Sequence, residues 1–157
     1  MTSILTLPLY YSDVYHNYFA IDYQKIDPEY GTMDDLIALI REVHKRGMKF
    51  YLDMETQYVT EGSDWFANHP EYQIKGTAWG KLLSYTGESN DLNIANLYNP
   101  EVLKYFHLLY RYFLDPDKDG RFDDWVDGFR IDHIMDDLDN TGKLTNLYGW
   151  FWKPLFD

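Results

Sequence analysis

The 157-residue sequence has no cysteine and few basic residues. Without cysteine, it can form neither disulfide bonds nor thiolate metal sites. Only 14 lysine and arginine residues stand against 26 aspartate and glutamate residues, which gives a net charge of −12. This charge disfavours nucleic acid and anionic membrane surfaces as partners, because both attract a basic footprint. No apolar run reaches the roughly 18 residues that indicate a membrane span.

The residues that are present are those of a globular protein with a core. Hydrophobic residues make up 45% of the chain and charged residues 25%, which argues against disorder. Aromatic residues reach 18%, and 15 of them are tyrosine. Such rings can stack on sugars, although core packing is their commoner use. The first eleven residues lack a basic leader and a cleavage site, so we expect a strand there rather than a signal peptide.

Strand and helix patterns alternate along the chain. We predict a buried strand at residues 4–9, a helix from the N-cap Thr32 to Gly47, and a strand at residues 49–54. A second helix begins after Asn99, and a strand follows near Val126. An aromatic segment near the end of the sequence starts a third helix. This alternation is typical of parallel α/β folds, which place functional residues at the carboxyl ends of their strands.

One long segment, residues 55–99, interrupts the alternation with weak periodicity and many Gly, Ser, Asn and aromatic residues. Loops longer than about 12 to 15 residues are usually functional lids or small subdomains. We therefore predict three regions. Residues 1–54 form a βαβ part, residues 55–98 an inserted loop-rich subdomain, and residues 99–157 a helix, a strand and the start of a further helix.

The strongest candidate site lies in the stretch Val-Asp-Gly-Phe-Arg-Ile-Asp-His at residues 126–133. Arg130 and Asp132 are two positions apart in a predicted strand, so their side chains point to the same face. A guanidinium this close stabilises the charged form of the acid, which suits Asp132 to act as a nucleophile or charge stabiliser rather than a proton donor. The alternative is an ion pair that only holds the end of the strand in place.

The loop before this strand has the spacing of the front half of a calcium-binding loop. Such loops place carboxylates at positions 1, 3, 5 and 9, a glycine at 6 and a backbone carbonyl at 7. The corresponding residues are Asp115, Asp117, Asp119, Asp123, Gly120 and Arg121. Position 12 is Val126 rather than glutamate, so another ligand such as Asp124 must complete the set. We predict a structural Ca²⁺ ion here; the alternative is a solvated acidic turn.

Several short segments, in this order, resemble the α-amylase family of glycoside hydrolases. They are Tyr-His-Asn-Tyr at 15–18, Ile-Asp-Pro-Glu-Tyr-Gly-Thr at 26–32, His-Lys-Arg-Gly-Met-Lys at 44–49, the strand that ends in Asp53, Asp-Leu-Asn at 91–93, and Gly-Phe-Arg-Ile-Asp at 128–132. Together they span nearly the whole chain. The family has a (β/α)₈ barrel with a small domain inserted after the third strand. The resemblance thus implies an α/β fold, a partial (β/α)₈ TIM barrel of about strands 2 to 4, with an irregular inserted domain after strand 3.

The resemblance also implies roles for individual residues. Asp132 matches the catalytic nucleophile, and Arg130 matches the arginine that orients it. Tyr18 matches the aromatic platform beneath the sugar at the cleavage point. The residues expected to bind substrate around it are Tyr18, His16, Asp53 and His133.

Two motifs depart from the family pattern. After Asp53, Gln57 and Tyr58 stand where the family usually has Asn-His, and Met135-Asp136 stands where it usually has Lys-His. These changes put the family's usual calcium site in doubt, although oxygen atoms of Gln57, Asp91 and Asp136 could replace its ligands. A retaining glycosidase also needs a carboxylic acid about 5 to 5.5 Å from the nucleophile. In the family that glutamate follows the fifth strand, and no glutamate of this chain matches its position.

The function implied by the resemblance is hydrolysis or transfer of α-1,4-linked glucans such as starch and maltodextrins, by a retaining mechanism. We expect the chain to be part of a longer enzyme and to be inactive without the missing barrel half. The alternatives are a calcium-stabilised carbohydrate-binding module and an amylase-like domain that has lost catalysis. The intact pair of Arg130 and Asp132 argues against lost catalysis.

Overall fold

The computed structural model describes residues 2–60, 62–74, 81–83, 89–122, 125–136 and 144–157, with side chains at all of them except 81–83 and 89–93. The strands in this part of the chain are β1 (Ser3–Thr6), β2 (Tyr10–Tyr11), β3 (Asp22–Ile26), β4 (Lys49–Met54), β5 (Tyr58–Thr60), β6 (Gln73–Ile74), β7 (Lys81–Leu83), β8 (Ser89–Ala95) and β9 (Gly128–Ile131). The α-helices are α1 (Met33–Lys45), α2 (Asp64–Ala67), α3 (Pro100–Leu114) and α4 (Lys153–Phe156). A 3₁₀ turn at Pro70–Tyr72 and a π-helical turn at Tyr148–Trp152 complete the list.

The central sheet consists of three parallel strands in the order β1, β4, β9. Because the strands are parallel, their carboxyl ends meet at one edge of the sheet. The register of β4 and β9 places Asp53 directly opposite Arg130. The strand predicted at residues 49–54 is confirmed with these bounds, and it carries three buried residues at its end.

Helix α1 has the caps that its sequence predicts. The Thr32 hydroxyl accepts a hydrogen bond from the Asp35 backbone N–H, and the Asp35 carboxylate accepts one from the Thr32 N–H, which together form a capping box. Gly47 ends the turn with φ +67°, a conformation that favours glycine. The face formed by Leu36, Ile40 and Val43 is buried, and the helix packs on β4.

Helix α3 also begins as predicted. The Asn99 side chain accepts a hydrogen bond from the Glu101 N–H, and Pro100 occupies the first helical position. Its inner face contributes much of the core through Val102, Phe106, Leu109, Tyr110 and Phe113, all of which are buried. Among the helices of the described residues, none is long and apolar enough to cross a bilayer.

Three expectations about the elements were wrong. Strand β1 is not buried: it ends at Thr6, and Leu5 and Leu7 are 56% and 62% exposed, because β4 is the one strand that pairs with β1 in the part of the chain that the structure describes. The described residues between 55 and 99 are not irregular, since β5, β6 and β7 each pair antiparallel with β8. Most of these strands have only two or three residues, too few to show a period of two. Strand β9, for which the apolar residues Val126, Phe129 and Ile131 predict burial, is half-buried instead.

Candidate active site

A single guanidinium joins the ends of two neighbouring strands. Nη1 of Arg130, on β9, lies 3.0 Å from both carboxylate oxygens of Asp53 on β4. Its Nη2 lies 3.0 Å from Oδ1 of Asp132. The Asp53 side chain is buried, the Asp132 side chain is 22% exposed and the Arg130 side chain is 47% exposed. The hydrogen bond that Arg130 donates to Asp53 raises the pKa of Arg130, so the guanidinium stays charged.

Asp132 continues the strand pairing beyond the last residue of β9. Its backbone N–H donates to the Met54 carbonyl over 2.9 Å, which extends the ladder between β4 and β9. Its carboxylate oxygen Oδ1 also accepts a hydrogen bond from the His133 N–H, at 3.0 Å. The predicted pair of Arg130 and Asp132 on one face therefore exists, with the carboxylate partly open to solvent.

Tyr18 lies against the same pair. Its hydroxyl donates to Oδ2 of Asp53 over 2.8 Å and accepts a hydrogen bond from Nη1 of Arg130 over 3.4 Å. Burial, together with the hydrogen bond to Asp53, raises the pKa of Tyr18 to about 12, so the phenol stays neutral. The preceding residue fixes this loop: Asn17 has φ +58°, and its amide donates to the Tyr10 carbonyl and the Asp27 carboxylate.

His16 reaches the site through Tyr18. Its Nδ1 accepts a hydrogen bond from the Tyr18 backbone N–H over 3.1 Å, and the two ring centroids are 5.4 Å apart. Burial lowers the pKa of His16, which favours the neutral ring that this hydrogen bond requires. His16 therefore positions the tyrosine.

Sequence reasoning missed one residue of the site, Glu55. Its side chain is fully buried directly after β4, and Oε2 lies 2.5 Å from Nδ1 of His133. Burial raises the pKa of Glu55 to about 7, against the opposing effect of the hydrogen bond from His133. That same hydrogen bond raises the pKa of His133, which is partly exposed. The signal that could have found Glu55 is its place at a strand end, two residues after Asp53.

The Gln57 side chain, after the end of β4, forms hydrogen bonds with the backbone that follows β9. Its Nε2 donates to the Asp132 carbonyl over 2.9 Å and to the His133 carbonyl, while its Oε1 accepts from the Thr56 N–H. The amide is therefore engaged with backbone groups. Of the other residues considered for a second calcium site, Asp136 accepts a hydrogen bond from the Tyr148 N–H, and the Asp91 side chain lies outside the described residues.

The acidic loop brings its first three predicted carboxylates together. Ligand atoms of Asp115, Asp117 and Asp119 lie within 4.8 Å of one another. The Asp115 side chain is fully buried, and its Oδ1 has no hydrogen-bond partner. Gly120 has φ +83°, as the sharp turn requires, and its N–H donates to Oδ2 of Asp115. Arg121 is exposed, and Asp123 lies outside the described residues. The loop leads into the amino end of β9, away from Asp132.

Comparisons with known proteins identify the family of the chain. A sequence model of the α-amylase catalytic domain matches residues 1–81, just over half of the chain. The chain therefore belongs to the α-amylase family, whose members are amylase-type glycosidases. Alpha-amylase 3 of Dictyoglomus thermophilum is 30% identical over 87% of this chain, and an intracellular maltogenic amylase of Bacillus subtilis is 25% identical over 98%. The chain covers only 30% and 25% of these relatives.

Solved structures show the fold independently. An α-amylase from H. orenii matches 99% of this chain and 33% of its own, with a TM-score of 0.67 and 24% identity. Isomaltulose synthase from Klebsiella matches 84% of this chain and 28% of its own, with a TM-score of 0.67 and 21% identity. The chain thus has part of the fold of (β/α)₈ barrel amylases.

Proposed function

We propose that this chain carries the nucleophile side of a retaining glycosidase site that acts on α-1,4-linked glucans such as starch and maltodextrins. The observation that carries the proposal is the bridge from Arg130 to both Asp53 and Asp132. The guanidinium pairs with the Asp132 carboxylate and aims it, as an attacking group requires. Tyr18 presents a neutral ring beside it for the sugar to stack on.

In the proposed reaction, a carboxylate oxygen of Asp132 bonds to the anomeric carbon while the bond from that carbon to the leaving oxygen breaks. The leaving oxygen takes a proton from a carboxylic acid, and water later attacks the glycosyl ester and returns the proton to that acid. Arg130 and Asp53 orient the nucleophile, and His16 fixes the loop that carries Tyr18. His133 lies beside the nucleophile, where its exposed edge can meet the substrate.

The proton donor is proposed to come from residues beyond this chain. The chain spans about 30% of the length of Alpha-amylase 3 of Dictyoglomus thermophilum and 33% of the H. orenii α-amylase. A full barrel of this type needs roughly 250 residues. We therefore expect the 157-residue chain alone to show no turnover, and the site to need the missing barrel half.

The test uses the full polypeptide encoded by the gene and soluble starch as substrate. We expect Asp132→Asn to lower kcat by about a thousandfold or more, since it removes the nucleophile. The matched control is Asp34→Asn, at an exposed position of α1, which should leave the rate unchanged. A wild-type polypeptide that binds maltoheptaose without cleaving it would refute the proposal and support a carbohydrate-binding module. Asp132-dependent product from the isolated chain would refute its expected inactivity.

A Ca²⁺ ion in the acidic loop is the second part of the proposal. The buried, unpartnered oxygen of Asp115 fits a cation, because a buried carboxylate oxygen without a partner is costly. Asp115, Asp117, Asp119 and Asp123 would hold the ion, together with the carbonyl of Arg121. Bound there, the ion would pin the end of α3 to the start of β9. Its role is structural, since this loop lies away from Asp132.

The sheet pairing supports a division of the chain into three regions. Strands β5 to β8 pair only among themselves in the described residues, and β1, β4 and β9 pair only with one another. We propose on this ground that residues 55–98 are an inserted subdomain between residues 1–54 and residues 99–157. Limited proteolysis that cuts first near residues 55 and 98 would support this division.

A further inference from the structure

Glu55 is a buried ionisable group that the proposed mechanism does not use. Its Oε1 accepts hydrogen bonds from the backbone N–H groups of Gln57, at 2.6 Å, and Tyr58, at 3.3 Å. Its Oε2 is 2.5 Å from Nδ1 of His133. A carboxylate with no exposed surface and three donors holds one fixed position.

His133 connects this buried carboxylate to Asp132. Its Nδ1 is 3.6 Å from Oδ2 of Asp132, and its backbone N–H donates to Oδ1 of the same carboxylate. The residue has φ +53°, a conformation that is uncommon for histidine and needs support from its surroundings. That support comes from Glu55 on one side and from the edge-on contact with the Tyr58 ring, 5.2 Å away, on the other.

We propose that Glu55 is a positioning residue that acts through His133 to hold the Asp132 carboxylate in place for attack, an inference that rests on the proposed function of Asp132. Arg130 and the His133 N–H hold Oδ1, and the imidazole ring faces Oδ2. Both oxygens of the nucleophile therefore meet positive charge or a donor. Without Glu55, the ring would lose the partner that fixes its orientation.

The charge surroundings favour a proton on the imidazole. Glu55 and Asp132 both face Nδ1, and the hydrogen bond that the ring donates to Glu55 raises the pKa of His133, although partial burial and Arg130 oppose it. In the described residues, the other ionisable groups that interact with Glu55 or His133 are Tyr10, Tyr23, Tyr110 and Arg130. Burial raises the pKa of Glu55 to about 7.

An alternative role for these residues is to bind a metal ion, since ligand atoms of Glu55, Asp132 and His133 lie within 4.8 Å of one another. Two atoms bound to the same ion, each at about 2 Å in a tetrahedral arrangement, are about 3 Å or more apart. The 2.5 Å separation of Glu55 Oε2 and His133 Nδ1 is therefore a hydrogen-bond distance, with a proton between the atoms.

The first test uses nuclear magnetic resonance on the 157-residue chain. Glu55→Gln keeps the shape and the acceptor for the backbone N–H groups but removes the charge. We expect it to lower the His133 pKa by about one unit or more, measured from the ring ¹⁵N shifts, and to move the side-chain carboxyl ¹³C resonance of Asp132. Glu29→Gln, at an exposed position, is the matched control and should change neither signal.

His133→Asn is the second variant, because asparagine tolerates the positive φ of this position. It should move the Asp132 resonance in the same way, and the double variant should add no further change, since both act on one pathway. An unchanged His133 titration in Glu55→Gln, or an Asp132 resonance that neither variant moves, would overturn the proposal. Additive effects of the two changes would overturn it as well.

Kinetic measurements on the full polypeptide distinguish a positioning role of Glu55 from a general loss of stability. Glu55→Gln should lower kcat about tenfold and leave KM within about twofold, because the nucleophile acts in the transition state. It should also shift the pH profile of kcat, which a purely structural defect would not do. Wild-type polypeptide without hydrolysis would refute the proposed function, whereas an active wild type with equal kcat in Glu55→Gln would refute the positioning role alone.

Discussion

Replacing Arg130 by methionine tests the ion bridge at the centre of the site. Methionine keeps much of the length of the side chain but removes the cation that contacts Asp53 and Asp132, each at 3.0 Å. The change leaves Asp53 buried, with a side-chain exposure of 5%, and without its charged partner. The Tyr18 hydroxyl then remains as a neutral donor to it.

The expected loss lies between two limits. Exposed ion pairs contribute about 0 to 1 kcal/mol, and breaking a buried pair costs about 3 to 5 kcal/mol. Because Arg130 is 47% exposed and Asp53 is buried, we expect the free energy of unfolding to fall by about 2 kcal/mol. For a domain of this size, this corresponds to a drop in Tm of about 4 to 8 °C. Arg130→Lys should recover part of the loss, since one ammonium cannot serve both carboxylates as a fork does.

Urea unfolding of the 157-residue chain, followed by tryptophan fluorescence, measures this difference. The matched control is Arg46→Met, which breaks an ion pair with Glu42 of 2.6 Å in which the side chains are 61% and 50% exposed. It should cost less than about 0.5 kcal/mol. If Arg130→Met and Arg46→Met lower the free energy of unfolding equally, the burial of Asp53 does not determine the strength of its ion pair, and the expectation is refuted.

Three further predictions concern other parts of the chain. Asp127→Asn should lower the free energy of unfolding by about 1 to 3 kcal/mol at pH 7. Burial of Asp127 raises its pKa, but the hydrogen bonds that it accepts from Lys49, the Phe50 N–H and His44 outweigh burial, so the pKa of Asp127 is lowered. A lowered carboxyl pKa stabilises the fold above the unfolded value of about 3.9, so the difference from wild type should shrink as pH falls below about 4 in urea titrations. Thr32→Ala should cost about 1 kcal/mol by removing the cap of α1, seen as a lower urea midpoint. Calcium at about 100 times its Kd should stabilise the chain by about 2.7 kcal/mol. Asp115→Asn should abolish this gain. Titration calorimetry that detects no heat of calcium binding to the folded chain would contradict the site.

The elements that could be predicted from the sequence are those with signals a few residues long. The capping box of Thr32 and Asp35 and the positive φ of Gly47 set the ends of α1 through local contacts. The alternation of Arg130 and Asp132 on one strand likewise needs only the geometry of an extended chain. These features depend on residues that are close in sequence and not on distant contacts, so local sequence patterns predict them.

The features that could not be predicted depend on distant partners. Glu55 forms its hydrogen bond with a residue 78 positions away, so its place at a strand end could mark it as a candidate but could not reveal its partner. Strands β5 to β7 exist because each pairs with β8 and not because of their own composition. The exposure of Leu5 and Leu7 depends on which strands lie beside β1, and an apolar run does not reveal that.

The pairing of Asp53 with Arg130 has a consequence for folding. A slip of one residue between β4 and β9 would turn the side chains of β9 to the other face and place Phe129 or Ile131 opposite Asp53. The mispaired chain could still form a backbone ladder, but it would bury an acid with no counter-charge. Correct alignment alone neutralises Asp53, so the residue that aims the nucleophile also selects the native alignment of the two strands.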